Sequence, residues 1–166
     1  GSRRAGLVLK EAADRAGKPI YLELSSINPV LILPGALRER AAEIAGEFTT
    51  SCLLGAGQFC TNPGVVLLLK GSETEAFIAL IVEKFRTAAV GTLLGEGVEH
   101  NLGHSVAALQ QAGAQLLVGG AAGGGAGCSF QNTLLRVEGR RFLAAPEQLQ
   151  QEAFGNASLL VVAEDA

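Results

Sequence analysis

Apolar runs of four or five residues alternate along this chain with longer stretches at helical spacing, and glycine or proline marks most changes of period. Ala5 to Ala16 has helical spacing, and Gly17-Lys18-Pro19 ends it. Ile20 to Leu24 reads as a short strand running into Ser25-Ser26; beyond Asn28-Pro29 a second strand spans Val30 to Leu33. Ala36 to Leu54 is helical again and Val65 to Leu69 is a strand. Ser72, with Glu75 three residues on, has capping-box spacing and opens a helix to about Val90. Ser105 to Gln111 reads as helix, and Gln115 to Val118 and Ser158 to Ala163 as strands. This alternation predicts an α/β domain with a mainly parallel sheet.

The 166 residues suffice for one domain with a real core. Charged residues make up 17% against a usual value of about 25%, and hydrophobic residues 48%. So apolar a composition predicts faces that another domain or subunit covers. A net charge of −3 gives no footprint for nucleic acid or an anionic membrane, and the apolar runs are too short to span a bilayer. No secretory signal is visible at the N-terminus. Three cysteines, an odd number without paired metal-ligand spacing, argue against a disulfide framework and for a reducing cytoplasm.

One of them, Cys60, sits in the run GAGQFCTNPG at 55 to 64, a glycine-bounded loop between helix and strand. A loop thiol held by rigid flanks can be a nucleophile, and its backbone N–H can help stabilise an oxyanion; it can equally be an ordinary cysteine in a tight turn. Cys52, in an apolar helical stretch, and Cys128, after the glycine run, read as structural. Glu23 ends an apolar strand, where dehydration would raise its pKa and suit it to general-base work; a capping or ion-paired role is the alternative. Glu23 and Cys60 both lie where short loops leave strands, the usual place for a site in an open α/β sheet. Glu152, followed by Phe154 and Gly155, could hold a sugar hydroxyl beside a flat ring, or be a solvated loop carboxylate. His100 and His104 are four apart, but a zinc pair needs a third ligand and Gly103 weakens a continuous helix, so no metal site is expected. Gly119 to Gly127 lacks the Gly-Lys-Ser/Thr ending of a phosphate-binding loop and reads as flexible surface.

Together these segments resemble the aldehyde dehydrogenase superfamily. Y21-L-E-L-S-S-I-N-P29 is similar to the family's glutamate signature, G57-Q-F-C-T61 to its catalytic-cysteine signature, and E152-A-F-G155 to its glutamate-x-phenylalanine-glycine motif. G113-A-Q-L-L-V-G-G120 matches a helix-to-strand junction common in the family. The resemblance implies a three-layer fold in which residues 1–166 form the cysteine-bearing catalytic domain. It places the cofactor-binding domain and the oligomerisation arm outside this chain, so that the chain alone is expected to be inactive and the full-length protein a homo-oligomer. It implies that Cys60 attacks an aldehyde, that NAD or NADP takes up a hydride, and that Glu23 activates water to release a carboxylic acid. Glu152 would hold the nicotinamide ribose, Phe154 would pack on the nicotinamide, and Gly1-Ser2 with Gly6 resembles the start of a helix facing the cofactor phosphates.

Two departures from the family pattern stand out. Ser25-Ser26-Ile27, where the family usually has Gly-Gly-Lys, together with G57-Q-F-C-T-N-P-G64, resembles the 2,5-dioxovalerate (α-ketoglutarate semialdehyde) branch, with bacterial fatty-aldehyde dehydrogenases as the alternative. Asn132 stands where many members have proline before Thr133. A non-catalytic binding or assembly module and a thiol hydrolase are the competing classes, the latter lacking a convincing His partner for Cys60.

Overall fold

The computed structural model describes residues 1–165. Helix α1 (Arg3–Arg15) is followed by irregular chain and then by strand β1 (Pro29–Ile32) and helix α2 (Pro34–Leu53). Strand β2 (Val65–Leu69), helices α3 (Ser72–Thr87) and α4 (Glu96–Gln111) and strand β3 (Gln115–Val118) come next. Strand β4 (Thr133–Glu138), the short helices α5 (Gly139–Ala144) and α6 (Pro146–Leu149), and strand β5 (Ala157–Ala163) complete the order.

The strands form one sheet in the order β1-β2-β5-β4-β3, parallel except for the edge pair β3–β4. β5 lies at its centre, with Val65 opposite Leu159 on one side and Thr133 opposite Ala157 on the other. Successive side chains of a strand point to opposite faces, so each strand feeds two cores. Val66, Leu68, Leu134, Leu160 and Val162 pack with Phe48 and Cys52 of α2 and with Phe77, Ile81 and Phe85 of α3. Val65, Leu135, Val137, Leu159 and Val161 pack on the other side with Leu102, Val106 and Leu109 of α4 and with Leu149 of α6. The result is the expected three-layer α/β sandwich with a mainly parallel sheet.

Several local expectations are corrected. Ile20 to Leu24 is not a strand: the segment pairs with no strand of the sheet, and Tyr21 is 95% exposed. The capping box at Ser72 does not form. Gly71 takes the N-cap position without a side-chain bond, and the Glu75 carboxylate goes instead to Arg136 of β4 in two bonds of 2.8 Å each. That bidentate contact holds the Glu75 carboxyl below its usual range. Helix α4 begins at Glu96, nine residues earlier than the periodicity indicates, and runs unbroken through Gly103.

The expected apolar surface is present. Leu7, Val8 and Leu9 of α1 are exposed, Gly6 being the helix's buried residue, and Leu31, Leu33, Leu94 and Leu143 also face outward. Among the described residues no helix is long and apolar enough to cross a membrane.

Phe77 is fully buried beneath α3, whereas Leu94 is 89% exposed. Phe77→Ala should cost about 3–5 kcal/mol of unfolding free energy by urea titration, and Leu94→Ala within about 0.5 kcal/mol of nothing. Burial pushes the Cys52 thiol up from 9.0 to about 12. The unfolded thiol therefore ionises first, and stability is complete below about pH 9 and lost as pH rises toward 12, by at most about 1.4 kcal/mol per pH unit. Repeating the urea titration across that window with Cys52→Ala should give a visibly shallower decline.

Candidate active site

Because β1, β2, β5 and β4 run in one direction, their amino ends share one edge of the sheet. The segments carrying Glu23, Cys60 and Glu152 precede β1, β2 and β5, so they arrive at that edge together. The site thus lies where the chain enters the strands, which corrects the expectation that it lies where loops leave them.

The Cys60 loop has a sharply defined approach. After α2, a 3₁₀ turn (Leu54–Gly57) carries Gly55, Ala56 and Gly57 through left-handed backbone at φ of 55°, 55° and 68°. Ala56 is the non-glycine residue with positive φ among those described, a conformation that costs roughly 1–2 kcal/mol. Gly57 is required twice over, since a Cβ there would also strike the carbonyl of Gly155. The Gln58 side chain pins the loop, accepting from Leu94 N at 2.8 Å and donating to Gly55 O at 3.0 Å.

Carboxamides join the three segments. Asn28 Nδ2 donates to Cys60 O at 2.6 Å and to Asn62 O at 3.1 Å, and Ser26 Oγ reaches Cys60 O at 3.4 Å. Asn62 Nδ2 donates in turn to Gly155 O at 2.7 Å. A further pair supports the base of β4 and β5: Asn156 Nδ2 donates to Asn132 Oδ1 at 2.8 Å, and Asn132 Nδ2 to Ala88 O at 3.1 Å. Asn132 therefore ties the α3 exit to the sheet.

A cavity of about 710 Å³ opens among these segments. Gly1, Ser2, Glu23, Cys60, Glu152 and Phe154 all line it, so the residues singled out in the sequence converge on one space. Cys60 is exposed there, Glu152 half-buried and Phe154 40% exposed. Glu23 lies in irregular, exposed chain, so the dehydrated strand end expected for it is not found. Its segment is placed by α1: a Cβ on Gly6 would collide with the Leu24 side chain, and the amine of Gly1 donates to Glu23 O at 2.9 Å. Ser2 caps α1 by accepting from Ala5 N at 3.3 Å.

Sequence reasoning missed the far wall, where Asn101, His104 and Ser105 of α4 line the cavity, and it missed Arg4 beside Ser2. The one available signal was the i,i+4 histidine pair. His100 and His104 do share a face of α4, their ring centroids 4.1 Å apart. Among the described residues no group of three or more His, Cys, Asp or Glu side chains is placed to hold a metal ion. Cys52 is buried in the core and Cys128 half-buried against the opposite one.

The model of the aldehyde dehydrogenase family matches residues 1–155. The chain belongs to that family. The chain is 35% identical over 167 residues to alpha-ketoglutaric semialdehyde dehydrogenase 2 of Azospirillum brasilense, across 99% of its own length and 32% of that protein's. An alpha-ketoglutaric semialdehyde dehydrogenase of Acinetobacter baylyi is 29% identical over 168 residues, with 99% and 32% covered. The crystal structure of an NAD-dependent aldehyde dehydrogenase from Sinorhizobium meliloti shares the fold with a TM-score of 0.79 at 24% identity, covering 98% of this chain and 33% of that one. The chain thus spans about a third of the length of the curated relatives it matches.

The three thiols differ in access, and alkylation should follow it. Iodoacetamide at mildly alkaline pH should label Cys60 first, Cys128 more slowly and Cys52 last, because the Cys52 thiol is buried and its pKa pushed up to about 12. Peptide mapping of a time course gives the order; faster labelling of Cys52 or Cys128 would remove Cys60 as the candidate nucleophile.

Proposed function

We propose that this chain carries the catalytic centre of an NAD- or NADP-dependent aldehyde dehydrogenase, acting on an aldehyde of the α-ketoglutaric semialdehyde class. The observation that carries the reading is a single cavity bounded by an exposed loop thiol, a carboxylate and a half-exposed aromatic ring, in a chain of this family. The semialdehyde class is supported by the Ser25-Ser26-Ile27-Asn28-Pro29 variant and by the names of the relatives above.

Cys60 Sγ adds to the aldehyde carbon as a thiolate, and the carbonyl π pair moves onto oxygen to give a thiohemiacetal. The Cys60 backbone N–H is a candidate donor to that oxyanion. The groups around the cavity fit the nicotinamide end of a dinucleotide. The Ser2 hydroxyl and Arg4 guanidinium at the start of α1 suit phosphate, the Glu152 carboxylate suits ribose hydroxyls, and the Phe154 ring offers a flat apolar surface. When bound, the oxidised cofactor supplies the hydride acceptor that turns the thiohemiacetal into a thioester. Glu23 then takes a proton from water as the water oxygen bonds to the thioester carbon. The C–S bond breaks, the acid leaves and the Cys60 thiolate returns.

If this is correct, a short-chain dicarboxylic semialdehyde should protect Cys60 from iodoacetamide, whereas the corresponding acid should not. In a turnover-competent form of the enzyme, Glu23→Gln should preserve a pre-steady-state burst of reduced cofactor and slow the following turnover by about 10²–10⁴-fold. Loss of the burst with normal deacylation would assign the base elsewhere. Cys60→Ser should abolish the burst itself.

A further inference from the structure

We propose that Asn28 is a positioning residue whose carboxamide clamps the Cys60 turn to the Glu23 segment, so that a side chain, and not the sheet, sets the thiol. The proposal rests on Cys60 being the nucleophile. The β1–β2 ladder begins only at Pro29 and Val65, and both Glu23 and Cys60 lie ahead of it. Residues 20 to 28 form no ladder of their own. Something else must hold the two segments together at the point where their chemistry would meet.

Asn28 is built for that. Its carboxamide nitrogen has two hydrogens, and both are used: one for the carbonyl of Cys60 at 2.6 Å, the other for that of Asn62 at 3.1 Å. It therefore grips the turn on either side of Thr61, a turn closed by Asn62 N donating to Phe59 O at 3.1 Å. Pro29 follows directly, which restricts the Asn28 backbone to extended conformations and stiffens the base of the clamp. Asn62 repeats the device one step on, donating to Gly155 O and so linking the turn to the segment of Glu152 and Phe154. Two carbonyl oxygens converging on one nitrogen demand a donor, which an isosteric carboxylate does not offer. A misplacement of about 1 Å in such a constellation can cost 10²-fold in rate.

The isostere separates the clamp from ordinary packing. Asn28→Asp keeps the shape without the donor, Asn28→Ala loses both, and Asn28→Ser keeps one shorter donor. Amide hydrogen exchange mapped by peptide should run about tenfold faster across residues 58–62 in the Asp and Ala variants, less so in Ser, with β2 and β5 unchanged. In the same variants the Cys60 alkylation rate should move toward that of the urea-unfolded chain. Asn62→Ala should instead loosen the residues preceding β5. An Asp variant that behaves like the parent would overturn the clamp, since shape alone would suffice; so would loss of protection in β2 and β5, which would make Asn28 a residue of the fold. If Cys60 labels first in the parent and the 58–62 exchange does not change in any variant, the clamp fails and the nucleophile reading stands. If Cys60 does not label first in the parent, both fall.

Discussion

The parallel pairing of β5 between β2 and β4 is the constraint on which the remaining architecture depends. A strand hydrogen-bonded on both sides in a parallel sheet has both faces to bury, which the near-continuous apolar run Ala157–Ala163 satisfies. Two buried faces require a helical layer on each side, and α2 with α3 and α4 with α6 supply them. Parallel strands also return by crossovers, so their amino ends fall at one edge and the segments feeding them are forced into proximity. The cavity that Cys60 and Glu23 line is a consequence of that convergence.

Convergence alone does not give precision, because the feeding segments lie beyond the ladders. Polar side chains complete the arrangement. Asn28, Asn62, Asn132 and Asn156 each donate to a backbone carbonyl in another segment. Gly6 and Gly57 work by omission, each leaving space that a Cβ would fill against Leu24 or the Gly155 carbonyl. Such contacts suit an edge where loops must be held individually. They also explain how Glu23, in exposed irregular chain, can be placed with no strand beneath it.

Elements whose local pattern and tertiary role agree were legible from residue types. β2 and β3 have the boundaries expected of them, Val65–Leu69 and Gln115–Val118, because each apolar run has turn-forming residues beside it and a partner to pair with. β4 went unread because Arg136 and Glu138 interrupt its apolar run. Arg136 is accommodated by Glu75, a contact 61 residues away in sequence. The first half of α4 is rich in glycine and charge, and only the packing of Leu102, Val106 and Leu109 on the sheet reveals the face it buries. Ile20 to Leu24 failed in the opposite sense, a plausible strand that pairs with no strand of the sheet and leaves Tyr21 exposed.

What the residues determined by themselves is the class and a set of candidates: a glycine-bounded thiol, two carboxylate motifs and an alternation of periods that suits an α/β sheet. Those signals are local, since residue type, spacing and turn propensity act over a few positions. What only the tertiary structure decided is where those candidates stand: at the amino edge of the sheet, walled by His104 and Asn101 of α4, and held by carboxamides from distant segments. Hydrogen bonds such as that from Asn62 to Gly155 join residues 93 apart in sequence, and no local pattern encodes a partner so far away.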